Sequence, residues 1–328
     1  MLSESSADLD PLTVIAIRQG TDKWGAHFYT PIYHSLLAPL RSKPVRLLEI
    51  GVGGYASKYL GGGSLAMWAE YFEHGQIFGI DIQEKQLDLG DRVTIFQGSQ
   101  DDHEFLERIA RQHGPFDVII DDGSHIPAHV AASFEALFPS LVNGGLYIVE
   151  DTQTAYWSSH DGTPDGAATM SLAREILKGL NHREIAEVDP AYAAPAYAAS
   201  IRSLRAYHNL LVFEKGDNTE PSDRSYDLRH PRAAMALQSL AAAIGGTPTP
   251  RAVAFFTNFL IPMGRLDEAL ELVEWHLRLA PTSLDLLVAG YNVSATAGMF
   301  ERANSYLRRA LTLAPDDRRL RSLTNAKL

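Results

Sequence analysis

"VRLLEIGVGGYA", residues 45–56, passes from an aliphatic run into closely spaced glycines. The run is too short for a helix and reads as a buried strand, and the glycines end it in a loop. The same unit recurs downstream. "QIFGIDI" (76–82), "VTIFQGS" (93–99), "FDVIIDDG" (116–123) and "GLYIVED" (145–151) are further short aliphatic runs, most of them ending in Gly or Asp. Between them "SLAMWAEYF" (64–72), "HEFLERIARQH" (103–113) and "AHVAASFEALFPSL" (128–141) carry helical spacing. Short strands alternating with helices predict a parallel α/β sheet, doubly wound, with ligands bound beyond the carboxyl ends of its strands.

After residue 151 the alternation stops. "AATMSLAREILKGL" (167–180) predicts a helix, and "ASIRSLRAYHNLLVFEKGDN" (199–218) predicts two strands meeting near His208–Asn209, a terminal antiparallel hairpin. "GDNTEPSDRSYDLRHP" (216–231) reads as a polar linker. The remainder contains an internal repeat. "GRLDEALELVEWHLRLAP" (264–281) aligns with "GMFERANSYLRRALTLAP" (298–315), and Gly264/Gly298, Ala269/Ala303 and Pro281/Pro315 are each separated by 34 residues. That is the tetratricopeptide period. Two units are fewer than such arrays need alone, so the segment is expected to pack on the main domain or on a second subunit. The expected divisions are 1–44, a helical or lid segment; 45–218, the main domain; 219–250, a linker or helix; and 251–328, the tetratricopeptide-like segment.

The chain has 328 residues, 45% hydrophobic and 21% charged, values that permit a sizeable core. No apolar run has the length of a membrane span. The start, "MLSESSADLDPLTV", lacks a signal-peptide pattern, and together these features give a cytoplasmic expectation. Lys plus Arg number 29 against 40 Asp plus Glu, a net charge of −11 that argues against a nucleic-acid partner. With no cysteine, any metal must take oxygen or imidazole ligands.

The glycine loop contains Gly51, Gly53 and Ala56 in a G-x-G-x-x-A pattern, a weak dinucleotide signal by itself. Three details favour S-adenosylmethionine instead. Three more glycines intervene before helical spacing begins, so no helix N-terminus follows directly to hold a pyrophosphate. Glu49 precedes the first glycine, where a carboxylate suits a cationic ligand. Asp81, closing the second strand, suits a ribose diol. Ser99, Gln100 and Asp101 follow the third strand, in reach of a base edge, although Asp101 or Asp102 also reads as an N-cap for the next helix.

"FDVIIDDGSHIPAHV" (116–130) places Asp121, Asp122 and His125 at a strand tip. Either aspartate is also a candidate cap for the helix that follows, and His125 a candidate structural histidine. Taken with "TDKWGAHFYTPIYHSLL", "LLEIGVGGY", "GGGSLAMW", "GIDI", "QGSQDD" and "GGLYIVEDTQTAYW", this stretch closely resembles the metal-dependent sugar O-methyltransferases of bacterial natural-product pathways, over about residues 21–216. The helical tail is not part of that family's usual pattern.

The resemblance implies a class I methyltransferase fold and a Mg²⁺ ion, with Mn²⁺ as a substitute, held by Asp122, Glu150 and Asp151. It implies His125 as base; the expected cofactor site, read from the residues, draws on Glu49, Gly51, Gly53, Ser64, Asp81, Ser99, Gln100, Asp101 and Asp121. His27, Tyr29, Tyr156 and Trp157 are candidates for an apolar lid over a glycoside acceptor. The chemistry is coherent: crowded carboxylates need a cation, and a sugar hydroxyl is far too weak an acid for an imidazole of pKa ~6.5 to deprotonate unaided. A metal-bound diol of another kind, such as a catechol, is the alternative acceptor, and a non-catalytic scaffold presenting the repeats is the alternative role. Homo-oligomers through the C-terminal helices are also expected.

Overall fold

The structure is a computed structural model and describes residues 9–220, 235, 239, 242 and 248–324. The chain separates into two compact units, 1–224 and 225–328.

The first unit is built on a seven-stranded sheet in the order β3-β2-β1-β4-β5-β7-β6. The strands are β1 (Arg46–Ile50), β2 (Gln76–Asp81), β3 (Val93–Gln97), β4 (Phe116–Asp121), β5 (Leu141–Val149), β6 (Ile201–Tyr207) and β7 (Leu210–Lys215). The first five run parallel, and β6 and β7 form the antiparallel hairpin. Chain order reverses between β1 and β4, so a crevice opens beyond their carboxyl ends. The helices are α1 (Pro11–Gln19), α2 (Thr30–Leu37), α3 (Gly63–Tyr71), α4 (His103–His113), α5 (Pro127–Leu137), α6 (Ala167–Leu180) and α7 (His182–Val188).

Alternation along the strands sends side chains to two cores. Leu47, Val118, Ile120, Leu146 and Ile148 face one side, with Leu12, Ile15, Tyr33 and Leu37 of α1 and α2 and Leu65 and Trp68 of α3. Leu48, Ile119, Tyr147 and Val149 face the other, with Leu106 of α4, Phe134 and Leu137 of α5 and Ile176 of α6. The N-terminal segment therefore forms one wall of a core. Its first helix is set by Asp10, whose carboxylate accepts from Thr13 N at 2.9 Å, and ends at Gly20 in the left-handed region.

The helix expected over 128–141 stops earlier. α5 ends at Leu137, a 3₁₀ turn spans Phe138–Ser140, and β5 begins at Leu141. Pro139 has no amide hydrogen to continue the helical ladder, and its ring crowds the preceding turn. β5 thus starts before the expected Gly145 and is irregular there, its register with β4 shifting between Phe116 and Val118.

The second unit is helical: Pro250–Leu260, Leu266–Leu279, Leu284–Thr296, Phe300–Leu313 and Arg318–Thr324. The 34-residue repeat is visible in its backbone. Gly264 and Gly298 both take left-handed φ, +70° and +72°. Ala269 and Ala303 are both fully buried. Most of the expected linker, and of the 219–250 segment, lies outside the described residues. Among the described residues no helix is long and apolar enough to cross a membrane.

Candidate active site

The first unit holds a cleft of about 880 Å³ at the carboxyl edge of β1, β2 and β4. Its lining includes Gly51, Gly53, Ser64, Asp81, Ser99, Gln100, Asp122, His125 and Asp151, and on the N-terminal side His27. Most of the sequence-predicted residues thus share one cavity.

The glycine loop is built for close approach. Gly51 has φ +93°, and a Cβ there would lie 2.0 Å from the carbonyl oxygen of Asp122. Gly51→Ala is therefore expected to cost at least about 2 kcal/mol from the left-handed backbone and the clash, lowering Tm by roughly 4–8 °C in a thermal melt. The loop beyond is pinned by Lys85, a residue the sequence reading passed over. Its ammonium donates to the carbonyls of Gly53 (2.6 Å), Tyr55 (2.9 Å) and Ser57 (3.1 Å). Asp81 holds the neighbouring turn, its carboxylate accepting from Val52 N at 3.1 Å and Gln83 N at 2.8 Å.

Two predicted residues have other partners. Glu49 was expected to face a cationic ligand, but it is fully buried and absent from the cleft lining. Its cation is Lys23, an ion pair at 3.0 Å, and its second oxygen accepts from Trp68 Nε1 at 3.1 Å. Burial pushes its carboxyl above the usual range, against the pull of Lys23. Asp121 is also interior, 1% exposed. It accepts from Gln100 Nε2 (3.1 Å), Tyr147 Oη (3.2 Å) and Ser133 Oγ, which braces the tip of β4 against α5 and β5. Burial raises its carboxyl too.

Gln100 completes that brace, accepting from Ser124 N at 2.6 Å. Of the two candidate caps for α4, Asp102 is the one used, accepting from Phe105 N at 3.1 Å. Asp101 instead accepts from Ser99 Oγ and lies 3.5 Å from His129 Nε2. Neither Asp121 nor Asp122 caps α5, whose N-cap residue is Ile126 without a side-chain bond.

The carboxylates form two groups, and Asp122 belongs to both. In each, one ligand atom per residue lies within 4.8 Å of the others. The outer group is Asp122, His125 and Asp151, all partly exposed to the cleft. His125 Nε2 is 4.0 Å from Asp122 Oδ1 and 3.9 Å from Asp151 Oδ2. His125 and Asp151 both hold left-handed backbone, φ +57° and +52°, a strained choice for non-glycine residues that fixes their direction.

The inner group is Glu49, Asp122 and Glu150. The parity of the strands puts all three on the α1–α2 side of the sheet. Lys23, in the loop after α1, enters there and is 1% exposed. Its ammonium donates to Asp122 Oδ2 at 2.8 Å and Glu150 Oε1 at 2.7 Å. Burial alone would depress its pKa, but the three carboxylates raise it well above normal, so it is a fixed cation. Burial, then the charge of Asp122, pushes Glu150 up, and Lys23 opposes both.

His27 lines the cleft, whereas Tyr29 is buried beside it. Tyr29 is 2% exposed, stacks on His27 with ring centroids 4.8 Å apart, and donates to Asp151 Oδ1 at 2.6 Å. Burial opposes ionisation of Asp151, yet Tyr29, Gln153 and the nearby histidines hold its carboxyl below the usual range. Tyr156 and Trp157 are half exposed on the 3₁₀ turn Thr152–Tyr156 and the residue after it.

No family model matches the chain. Two curated relatives are each 45% identical to it. One is the 8-demethyl-8-(2-methoxy-alpha-L-rhamnosyl)-tetracenomycin-C 3'-O-methyltransferase of Streptomyces olivaceus, over 212 residues, 63% of this chain and 54% of the relative. The other is the mycinamicin VI 2''-O-methyltransferase of Micromonospora griseorubida, over 215 residues, 64% of this chain and 53% of the relative. Among solved structures, MycE methyltransferase in complex with Mg and SAH superposes with a TM-score of 0.63 at 40% identity, covering 69% of this chain and 60% of that one. The fold is thus that of the class I methyltransferases, and the chain spans about half the length of the curated relatives it matches.

Proposed function

We propose that the chain is a divalent-metal-dependent O-methyltransferase that moves the methyl group of S-adenosylmethionine to a sugar hydroxyl, on a deoxysugar such as rhamnose in a glycosylated natural product. The observation that carries this reading is the meeting of Asp122, His125 and Asp151 with the glycine loop in one cleft. The relatives' names supply the acceptor class, since they act on rhamnosyl tetracenomycin and on mycinamicin VI. A solved MycE complex contains Mg, SAH and mycinamycin VI together.

The donor set fits Mg²⁺ or Mn²⁺. Asp122, Glu150 and Asp151 offer oxygen only, and two of them open onto the cleft. When bound there, the ion supplies Lewis acidity that lowers the pKa of a coordinated hydroxyl. The protein's own part is positional and basic. Gly51, Gly53, Ser64 and Asp81 would border the cofactor, with Ser99 and Gln100 nearer its base and the strand-tip backbone at Asp121 below it. His125 takes the hydroxyl proton as the acceptor oxygen bonds to the methyl carbon and the sulfur–methyl bond breaks, leaving S-adenosylhomocysteine. Holding both substrates in one cleft converts a bimolecular step into an effectively unimolecular one.

In the same reading, Tyr156 and Trp157 lie on the acceptor side, where half-exposed aromatic rings suit a sugar or its aglycone. The enzyme is cytoplasmic and its working domain is residues 45–218 together with the N-terminal wall. The 251–328 helices are a tetratricopeptide-like pairing surface for a second copy, a role supported by the repeated cap geometry and by exposed Trp275 and Leu279.

The test is transfer of labelled methyl from S-adenosylmethionine to a panel of rhamnosylated polyketides and catechols. Labelled rhamnoside is the expected product. Labelling of catechols alone overturns the sugar assignment. Failure to bind S-adenosylhomocysteine in calorimetry overturns the methyltransferase reading and leaves the scaffold.

A further inference from the structure

Each of the three carboxylates assigned to the metal has one oxygen already occupied. Asp122 Oδ2 accepts from Lys23 at 2.8 Å. Glu150 Oε1 accepts from Lys23 at 2.7 Å and from the Tyr33 hydroxyl at 2.5 Å. Asp151 Oδ1 accepts from the Tyr29 hydroxyl at 2.6 Å. The other oxygens, Asp122 Oδ1 and Asp151 Oδ2, are those nearest His125 Nε2. Glu150 Oε2 is the oxygen that Lys23 and Tyr33 leave.

All three donors come from one short stretch, the loop after α1 and the first turns of α2. All are buried, Lys23 and Tyr33 at 1% and Tyr29 at 2% exposure. Tyr33 is further locked edge-on against Trp68, ring centroids 5.1 Å apart. The segment reaches across 99 to 127 residues of sequence to make these contacts. Such donors fix a carboxylate's rotation as well as its charge.

We propose that Lys23, Tyr29 and Tyr33 are positioning residues that hold the three ligands in one-oxygen presentation and so set the centre's choice of cation. The inference rests on the proposed metal site. A carboxylate with one oxygen held by a buried donor is a poor bidentate ligand. Ca²⁺ takes six to eight oxygens and uses bidentate carboxylates, whereas Mg²⁺ requires a compact octahedron and keeps positions for water or substrate. Two cleft-facing carboxylates with one held oxygen each, and Glu150 drawn inward by Lys23 and Tyr33, therefore favour Mg²⁺ or Mn²⁺, which bind through one or two carboxylates, over Ca²⁺. Lys23 also compensates the inner carboxylates, Glu49 among them, so that the cluster draws one divalent ion and not two.

The experiment is Mn²⁺ binding by electron paramagnetic resonance on the full chain with S-adenosylhomocysteine present, with Mg²⁺ and Ca²⁺ as competitors. Wild type is expected to bind one Mn²⁺, displaced far more readily by Mg²⁺ than by Ca²⁺. Tyr29→Phe is expected to weaken Mn²⁺ by about 10–100-fold and to narrow the preference for Mg²⁺ over Ca²⁺. Tyr33→Phe is expected to act in the same direction. Lys23→Met tests the ion count, with a second Mn²⁺ expected in folded protein. Since that variant leaves buried carboxylates unpaired, the phenylalanine variants decide the matter if it does not fold. Wild-type affinity and selectivity in both tyrosine variants would overturn the positioning role alone. A wild type that binds no Mn²⁺ would overturn the metal site with it.

Discussion

His125→Ala lowers kcat for methyl transfer by about 10²–10⁴-fold, the range expected when a positioned general base is lost. Binding of S-adenosylhomocysteine, measured by calorimetry, stays near wild type. The expectation follows from position. His125 stands between Asp122 Oδ1 and Asp151 Oδ2 at the mouth of the cleft, and its left-handed backbone holds the imidazole there. Removing the ring leaves the glycine loop and the braces at Asp121 and Gln100 in place. A parallel fall in cofactor affinity would mean that the residue supports the loop instead of handling the proton. An unchanged kcat would remove the base assignment.

Asp122→Asn is expected to have the larger effect on the metal. Asp122 is the one carboxylate common to both groups, so its loss weakens the outer site and removes one of three partners from Lys23. Divalent affinity is expected to fall by more than about 100-fold, the upper end for changes that only support a ligand. Activity should fall with it and be only partly restored by excess metal. The amide keeps the shape of the side chain and leaves Lys23 with Glu49 and Glu150, so the fold should survive. A melting curve close to wild type with metal binding lost separates this outcome from unfolding.

Much of the architecture was legible because parallel strands buried on both faces are written as aliphatic runs, and because strand tips collect the polar residues. Asp122, His125, Glu150 and Asp151 were assigned through the family resemblance at such tips; the structure brings Asp122, His125 and Asp151 together, while Glu150 turns inward to Lys23 and Tyr33. The end of α5 was misplaced because Phe138–Leu141 is apolar and periodic enough to extend a helix, while the deciding feature is the missing amide hydrogen of Pro139.

Lys23 and Tyr33 were not legible as buried donors, and Tyr29 was legible only as a lid candidate. "TDKWG" reads as a polar turn, and only tertiary packing carries Lys23 beneath the tips of β1, β4 and β5. Glu49 was misdirected for a related reason. In a strand covered on both sides, periodicity does not say which face a carboxylate takes. Once the strands are in register, parity settles it. Adjacent residues point to opposite faces, so Asp121 separates from Asp122. The former enters the α4–α5 core and the latter meets Lys23.

In the proposed mechanism these carboxylates hold a divalent ion needed for O-methylation. This requirement is tested most directly by the initial rate of labelled methyl transfer to a rhamnosylated acceptor after dialysis against EDTA, before and after Mg²⁺ is restored. Transfer is expected to be lost in EDTA and to recover with Mg²⁺. An equal rate in EDTA and in Mg²⁺ would contradict it.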